Sequence, residues 1–185
     1  MSDEQAQFET LFLDTRAPLL GYLTRRAPAE DAADLLAEVY LIAWRRRTDL
    51  PSGGERRLWL YGVARRLIAA HHRAVLRSAE SGADVLEEQH PSGPTSDDRR
   101  AEVVRLVLET LSDLDRELVT LTTWEGLSPA EAASVVGITA GTARVRLHRA
   151  RSRLARHPRL QELLDDPDGG SPAVPAPLTT GSVRA

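Results

Sequence analysis

Seven arginines and no acidic residue occupy residues 141–160 of the chain. The planar guanidinium of arginine donates to two acceptors at once, which suits the phosphates of nucleic acid and the acceptor edge of guanine. A helix that only meets solvent usually mixes charges of both signs, and this segment does not. The segment therefore predicts a nucleic-acid-binding surface.

The residues around this basic segment predict a helix-turn-helix over about residues 128–156. Ser128 and Glu131 have the spacing of a capping box. Gly137 can adopt the left-handed conformation that ends a helix, and Thr139 can cap the helix that follows. One face of that second helix is apolar and carries Ala143, Leu147, Ala150 and Leu154. A short helix, a glycine turn and a basic second helix are typical of a unit that reads duplex DNA.

A second basic segment lies about 80 residues upstream. Residues 41–77 contain nine arginines and two acids, whereas residues 78–140 contain four arginines and 13 acids. The formal net charge of −3 therefore hides an alternation of charge along the chain. Alternating blocks of this kind indicate a polyanionic partner even when the total charge is negative.

The apolar residues recur at helical spacing, and no alternating strand pattern occurs, so we predict an all-α fold. Residues 3–77 form one small helical domain and residues 99–159 form another. Residues 78–98 are acidic and rich in Ser, Gly and Pro, which predicts a flexible linker. Residues 160–185 have little apolar surface to bury, which predicts a disordered tail.

Within the first domain we expect three helices. The first begins near Asp3 and is interrupted at Pro18. The second begins near Asp31, with acids in its first turn and arginines in its last turn, as the helix dipole favours. The third runs from Glu55 to Arg77, after a loop rich in glycine.

Several classes of function are disfavoured by the sequence. The chain has no cysteine, no phosphate loop, no nucleophile elbow and no metal-ligand spacing, so we expect neither an enzyme nor a bound metal or cofactor. His71 and His72 are adjacent and point to different helix faces, which makes them a poor metal site. No apolar run is long enough to cross a membrane, and the acidic N-terminus lacks a signal sequence. We therefore expect a cytoplasmic protein.

Three segments, residues 30–45, 58–67 and 114–151, together resemble bacterial RNA polymerase sigma factors of the extracytoplasmic-function group, in the sigma-70 family. Members of this group keep two helical domains, region 2 and region 4, joined by a flexible linker. The resemblance implies that the first domain docks on core RNA polymerase and opens the −10 element of promoter DNA. It implies that the helix-turn-helix reads the −35 element.

The resemblance also assigns DNA contacts to both domains. In the recognition helix, four side chains match positions that face bases, namely Arg144, Val145, His148 and Arg149. Two more are expected to meet phosphates, namely Thr142 and Arg146. In the first domain, residues 48–57 would capture a flipped base. The expected contacts of that region with the −10 strand are Ser52, Gly53, Arg56, Arg57, Arg65 and Arg66.

Two aromatic residues near this region, Trp59 and Tyr61, could stack on bases, but at helical spacing in a small domain they are better explained as core. The family commonly has Asn where this chain has Arg66, and a polar residue where it has Ala70. These two departures concern the −10 sequence preference that the resemblance implies, and not the activity.

Asp34, Glu38 and Arg45 lie off the apolar stripe of the second helix and are expected to pair with the clamp helices of the β′ subunit of core polymerase. The family usually has Gln where this chain has Ala37. An anti-sigma factor is the further partner that the resemblance implies. The main alternative is a helix-turn-helix regulator that binds duplex DNA without polymerase. A sigma mimic that only titrates an anti-sigma factor is a third reading, but a mimic should have lost its basic reading helix.

Overall fold

A computed structural model of the chain describes residues 3–80 and 96–165. Every regular element in these two ranges is a helix, which confirms the predicted all-α fold. Of those helices, none is long and apolar enough to cross a membrane. The segment of the predicted linker over residues 81–95 and the predicted tail beyond residue 165 lie outside the described residues.

The helices fall into two groups along the chain. The first group is α1 (Asp3–Thr24), α2 (Ala29–Arg45) and α3 (Glu55–Glu80), with a 3-10 turn at Arg47–Asp49. The second group is α4 (Ser96–Glu109), α5 (Asp113–Thr123), α6 (Pro129–Val136), α7 (Ala140–Ala155) and α8 (Pro158–Asp165). We call these groups the first unit and the second unit.

Helix α1 passes through Pro18 without a break, contrary to the prediction. Proline inside a helix costs about 3 kcal/mol because it removes one backbone donor and crowds the preceding turn. The residues just after it, Leu19, Tyr22 and Leu23, are fully buried. Burying a large apolar side chain contributes about 1.5–3 kcal/mol. Burial of this face therefore offsets the cost of the proline.

Helical structure extends beyond the predicted domain ends in three places. Helix α3 continues to Glu80, past the predicted boundary at residue 77, and α4 begins at Ser96, within the predicted linker. Helix α8 reaches Asp165, in the segment predicted as tail. Helix α8 packs against α4, with Leu160 and Leu163 half-buried. Eight residues are too few for a stable isolated helix in water. The contact with α4 therefore stabilises α8.

The two units pack against each other through α3 and α6, and their buried residues form one continuous cluster. On the first unit's part of this cluster, Tyr22 of α1 and Tyr61 of α3 are both fully buried and meet edge to face, with ring centroids 5.3 Å apart. Gly62 faces α6, and a Cβ at this position would be in ordinary contact with the carbonyl oxygen of Val135, 3.8 Å away. The sequence pattern gave no sign of this contact between residues that are distant along the chain.

Candidate nucleic-acid interface

The helix-turn-helix begins at the predicted capping box. The backbone N–H of Ser128 donates to Oε2 of Glu131 at 2.7 Å, and the backbone N–H of Glu131 donates to Oγ of Ser128 at 3.2 Å. Hydrogen bonds from the backbone N–H and the side chain of Ser128 to the carboxylate lower the pKa of Glu131. The carboxylate is therefore stabilised in the form that completes the cap.

The turn between α6 and α7 also forms as predicted. Gly137 has φ 77° and ψ 38°, a left-handed conformation that disfavours residues with a Cβ. Its N–H and that of Ile138 both donate to the carbonyl oxygen of Ala133, at 2.9 and 3.0 Å. Thr139 then caps α7 by accepting the N–H of Thr142 at 3.2 Å. These hydrogen bonds define the path of the chain between the two helices.

One face of α7 is buried and the opposite face is open. Ala143, Leu147 and Ala150 are at most 3% exposed, in agreement with the predicted apolar stripe. The predicted base-facing side chains are exposed, and Val145 is 51% exposed. Within the described ranges no hydrogen bond or ion pair involves Arg144, His148 or Arg149. These side chains are therefore available to a ligand.

The two residues expected to contact phosphates already have partners within the chain, unlike the base-facing residues. Arg146 donates through Nη1 to Oδ1 of Asp115 at 2.9 Å, and the hydroxyl of Thr142 lies 2.9 Å from that of Thr139. Burial opposes ionisation of Asp115, but hydrogen bonds from Ser112 and Arg146 outweigh it and lower the pKa of Asp115. Arg146 is therefore oriented by α5 beside the open face of α7.

The loop before α3 carries the residues expected to contact the −10 strand. Ser52 and Gly53 are exposed, and Gly53 has a φ of 59°. Arg56 closes this loop, because its Nε donates to the carbonyl oxygen of Pro51 at 2.7 Å. Arg56 therefore holds the loop in shape.

The other three arginines of this predicted set differ in exposure. Arg66 is exposed and Arg65 is half-buried. Arg57 points to the second unit, where its Nη2 donates to the backbone oxygen of Glu125 at 2.9 Å. In this arrangement Arg57 is occupied by a contact within the chain.

The aromatic residues of α3 serve the core, as expected. Tyr61 is fully buried, and Trp59 is partly buried against the same cluster. Tyr61 in this arrangement cannot stack on an extruded base, because its ring has no exposed surface.

The side chains expected to bind polymerase lie along one stripe of α2. Asp34, Glu38 and Arg45 are exposed and follow the i, i+4, i+11 spacing of a single helix face. Leu41 lies in the same stripe and is 47% exposed. The sequence interpretation missed Leu41, although an apolar residue three positions after Glu38, on the polar face, was the available signal.

The two adjacent histidines have structural partners. Nε2 of His71 lies 3.5 Å from Oδ2 of Asp31, and Nε2 of His72 lies 2.8 Å from the backbone oxygen of Arg26. Over residues 3–80 and 96–165 no group of three or more His, Asp or Glu side chains could hold a metal ion. The histidines tie α3 to the end of α1 and the start of α2.

Comparisons with known proteins agree with this geometry. The family described as sigma-70, region 4 matches residues 101–154, which include the helix-turn-helix. The probable RNA polymerase sigma-C factor of Mycobacterium bovis is 32% identical over 153 residues, which cover 79% of this chain and 80% of that protein. The extracytoplasmic-function sigma factor SigD of Mycobacterium tuberculosis is 39% identical over 101 residues, which cover 52% of this chain. This chain spans only 48% of the length of SigD.

A solved structure extends the similarity to both units. The sigma factor RpoE of Bartonella quintana, crystallised with the anti-sigma factor NepR, matches with a TM-score of 0.64 and 26% identity. The match covers 86% of this chain and 97% of RpoE. The fold, the helix-turn-helix and the relatives lead to one family. This chain belongs to the sigma-70 family of RNA polymerase sigma factors, in the extracytoplasmic-function group.

Proposed function

We propose that this chain directs core RNA polymerase to a specific set of promoters and initiates transcription there, without catalytic residues of its own. In this proposal α7 reads the −35 element in the major groove, and the loop before α3 engages the −10 element. The protein would act in the cytoplasm, where polymerase and chromosomal DNA are located.

The open face of α7 is the observation that carries the proposal. Arg144 and Arg149 are exposed, and they flank the exposed apolar side chain of Val145. Arginine pairs with two acceptors on guanine, and an apolar side chain suits the methyl group of thymine. A rigid, capped helix with this composition supports the reading of a specific duplex sequence.

The exposed stripe of α2 supports a polymerase contact. It combines two carboxylates, Asp34 and Glu38, with Leu41 and Arg45. A charged rim around an apolar residue is typical of a protein-binding surface. We assign this stripe to the clamp helices of the β′ subunit. An anti-sigma factor is a further partner in this proposal, because RpoE was crystallised with NepR.

Run-off transcription with purified core polymerase tests the proposal. Because the promoters are unknown, the template is fragmented DNA of the source genome, and transcript 5′ ends are mapped. We expect a small set of start sites that share upstream sequences. If the start sites match those of core polymerase alone, while the isolated protein binds specific duplexes, the chain is a regulator that acts without polymerase.

The α2 stripe has its own test. Replacing both Glu38 and Leu41 with alanine should weaken binding to core polymerase at least tenfold, or about 1.4 kcal/mol. Binding is measured by fluorescence anisotropy of labelled protein. The matched control is Glu9→Ala with Leu13→Ala, an exposed pair on α1. Equal losses in both variants would place the polymerase contact elsewhere.

A further inference from the structure

The interface between the two units buries a cluster of charges. The side chain of Glu125, in the loop between α5 and α6, is 2% exposed. Its Oε1 lies 2.6 Å from Nη2 of Arg25 and 3.8 Å from Nη1 of Arg26. Both arginines belong to the segment just after α1, so the ion pairs join the first unit to the second.

A second carboxylate repeats this arrangement. Oε2 of Glu117 accepts from Nε and Nη2 of Arg26 at 3.3 and 3.2 Å, and its Oε1 accepts the hydroxyl of Tyr22 at 2.6 Å. Burial raises the pKa of Tyr22 and the Glu117 carboxylate raises it further. The hydroxyl therefore remains protonated and donates.

Arg57 completes the set by donating to the backbone oxygen of Glu125 at 2.9 Å, while its Nε is buried without a partner. We call Arg25, Arg26, Arg57, Glu117 and Glu125 the Arg–Glu cluster. All its carboxylates come from the second unit and all its arginines from the first. None of the contacts that join these arginines to Glu117 and Glu125 can persist if the units separate.

Buried ion pairs depend strongly on both partners being present. Once a charge has lost its water, removing its partner leaves it uncompensated, and the arrangement that buries it is disfavoured about 100-fold or more. When the units are apart, each charge is hydrated and needs no partner. The Arg–Glu cluster therefore specifies one relative position of the units.

In that relative position the two units are too close together to reach both promoter elements. A compact chain of about 150 residues has a radius of gyration of about 15 Å, and so is about 40 Å across. The −35 and −10 elements are separated by about 25 base pairs, or about 85 Å of duplex. A closed body of this size cannot hold both elements, so the interface must open before both units bind.

We propose that the Arg–Glu cluster is an intramolecular lock that keeps the free protein in a closed form unable to bind both promoter elements. The proposal rests on the proposed function, because it takes the promoter as the ligand that needs the open form. Arg57 links the two states, since the arginine expected on the −10 strand is held by Glu125 when the protein is closed.

The experiment measures the distance between the units in the full-length protein by pulsed electron paramagnetic resonance. The chain has no cysteine, so Ala69→Cys in α3 and Ser134→Cys in α6, both at exposed positions, accept one spin label each. We expect one narrow, short distance. In the variant Glu117→Gln with Glu125→Gln, the ratio of closed to open protein should fall at least tenfold, with a broad long-distance population.

The matched control is Glu102→Gln with Glu109→Gln. These two carboxylates pair with Arg105 on the exposed face of α4, at 2.6 Å each. The control removes the same charge from the same unit and should leave the short distance unchanged. An unchanged distance in the Glu117/Glu125 variant, or a broad distribution in the parent protein, would overturn the proposal.

A variant that changes no charge tests the interface independently. Gly62→Leu places a large side chain against the backbone of α6 and should open the protein, whereas Gly62→Ala only reaches ordinary contact with Val135 and should not. If the Glu117/Glu125 variant fails to fold, the Gly62→Leu and Gly62→Ala variants still test whether the closed form depends on this interface. A closed Gly62→Leu protein would contradict the proposal.

Adding core polymerase and promoter DNA should convert the parent protein to the long distance. The free-protein distances do not depend on transcription. If they respond to the variants but no promoter-dependent transcript forms, the lock stands and the proposed function fails. If transcripts form but the distances do not respond, the lock alone fails.

Discussion

The two regions expected to bind DNA both carry arginines, but these arginines differ in whether they have partners within the chain. In α7, Arg144 and Arg149 are exposed and have no partner in the described ranges. At the start of α3, Arg56 braces its own loop and Arg57 donates to Glu125. A basic segment in a sequence therefore shows where cations lie, but their freedom depends on acceptors that can be distant along the chain.

The largest effect should come from the buried side of α7. Leu147 is 2% exposed, and Leu147→Ala should lower the free energy of unfolding by about 2–5 kcal/mol, because it loses apolar contact and leaves a cavity. Urea denaturation followed by circular dichroism gives the value. Leu164→Ala, at a side chain that is 77% exposed, is the control and should change stability by less than about 0.5 kcal/mol. A loss below about 1 kcal/mol at Leu147 would mean that α7 does not depend on this packing.

The exposed side of the same helix should affect binding instead of stability. Arg149→Ala should weaken binding to a −35 duplex by about 1–3 kcal/mol, or roughly 5- to 150-fold, if Arg149 pairs with a base. Affinity for core polymerase should not change. Arg57→Ala is the comparison between regions: it should leave −35 duplex binding unchanged, because Arg57 lies in the interface. A similar loss in both variants would remove the difference between the two regions.

Two glycines allow the turns of the two regions to be compared directly. Gly53 and Gly137 both have positive φ and open space around the position of a Cβ. Alanine at either should cost about 1–2 kcal/mol of backbone strain. Gly137→Ala should lower the melting temperature and −35 binding, whereas Gly53→Ala should reduce promoter opening, followed by permanganate reactivity. Loss of −35 duplex binding in Gly53→Ala would show that the two turns are not independent.

Acid should produce the smallest effect, and it should begin in the second unit. The pKa of Glu131 lies below its ordinary value of 4.5 because of its hydrogen bonds with Ser128. A lowered folded pKa contributes stability that is complete above the ordinary value and is lost as pH falls through the lowered one. Glu131→Gln should therefore show a smaller loss of unfolding free energy than the parent between about pH 5 and pH 2. Parallel pH curves for the two proteins would contradict this assignment.

Local features of the fold followed from the sequence. The capping box at Ser128, the turn at Gly137 and the apolar stripe of α7 depend on residues within a few positions of one another, so spacing alone predicts them. Pro18 was misjudged because local propensity disfavours a helix there, whereas burial of Leu19 and its neighbours favours one. The outcome depends on tertiary packing that spacing does not show.

The candidate sites likewise include features that local spacing predicts and features that depend on contacts between the units. The open face of α7 and the exposed stripe of α2 agree with positions inferred from helical spacing. The pairing of Arg26 with Glu117, 91 residues apart, could not be predicted, because no periodicity relates residues in different units. The contact of Arg57 with Glu125 was missed for the same reason: its acceptor lies in the other half of the chain.

Helix α3 couples the position of the loop that precedes it to the interface between the two units. It is a single helix of 26 residues, about 39 Å long at 1.5 Å per residue. The loop before α3 lies at its start, and Gly62, which faces α6, is two turns further on. A continuous helix cannot kink sharply between these points without breaking backbone hydrogen bonds. A force that moves the loop therefore rotates α3 as a rigid body. The contact of Gly62 with α6 lies near the loop end of α3, so the far end of the helix moves through the larger distance.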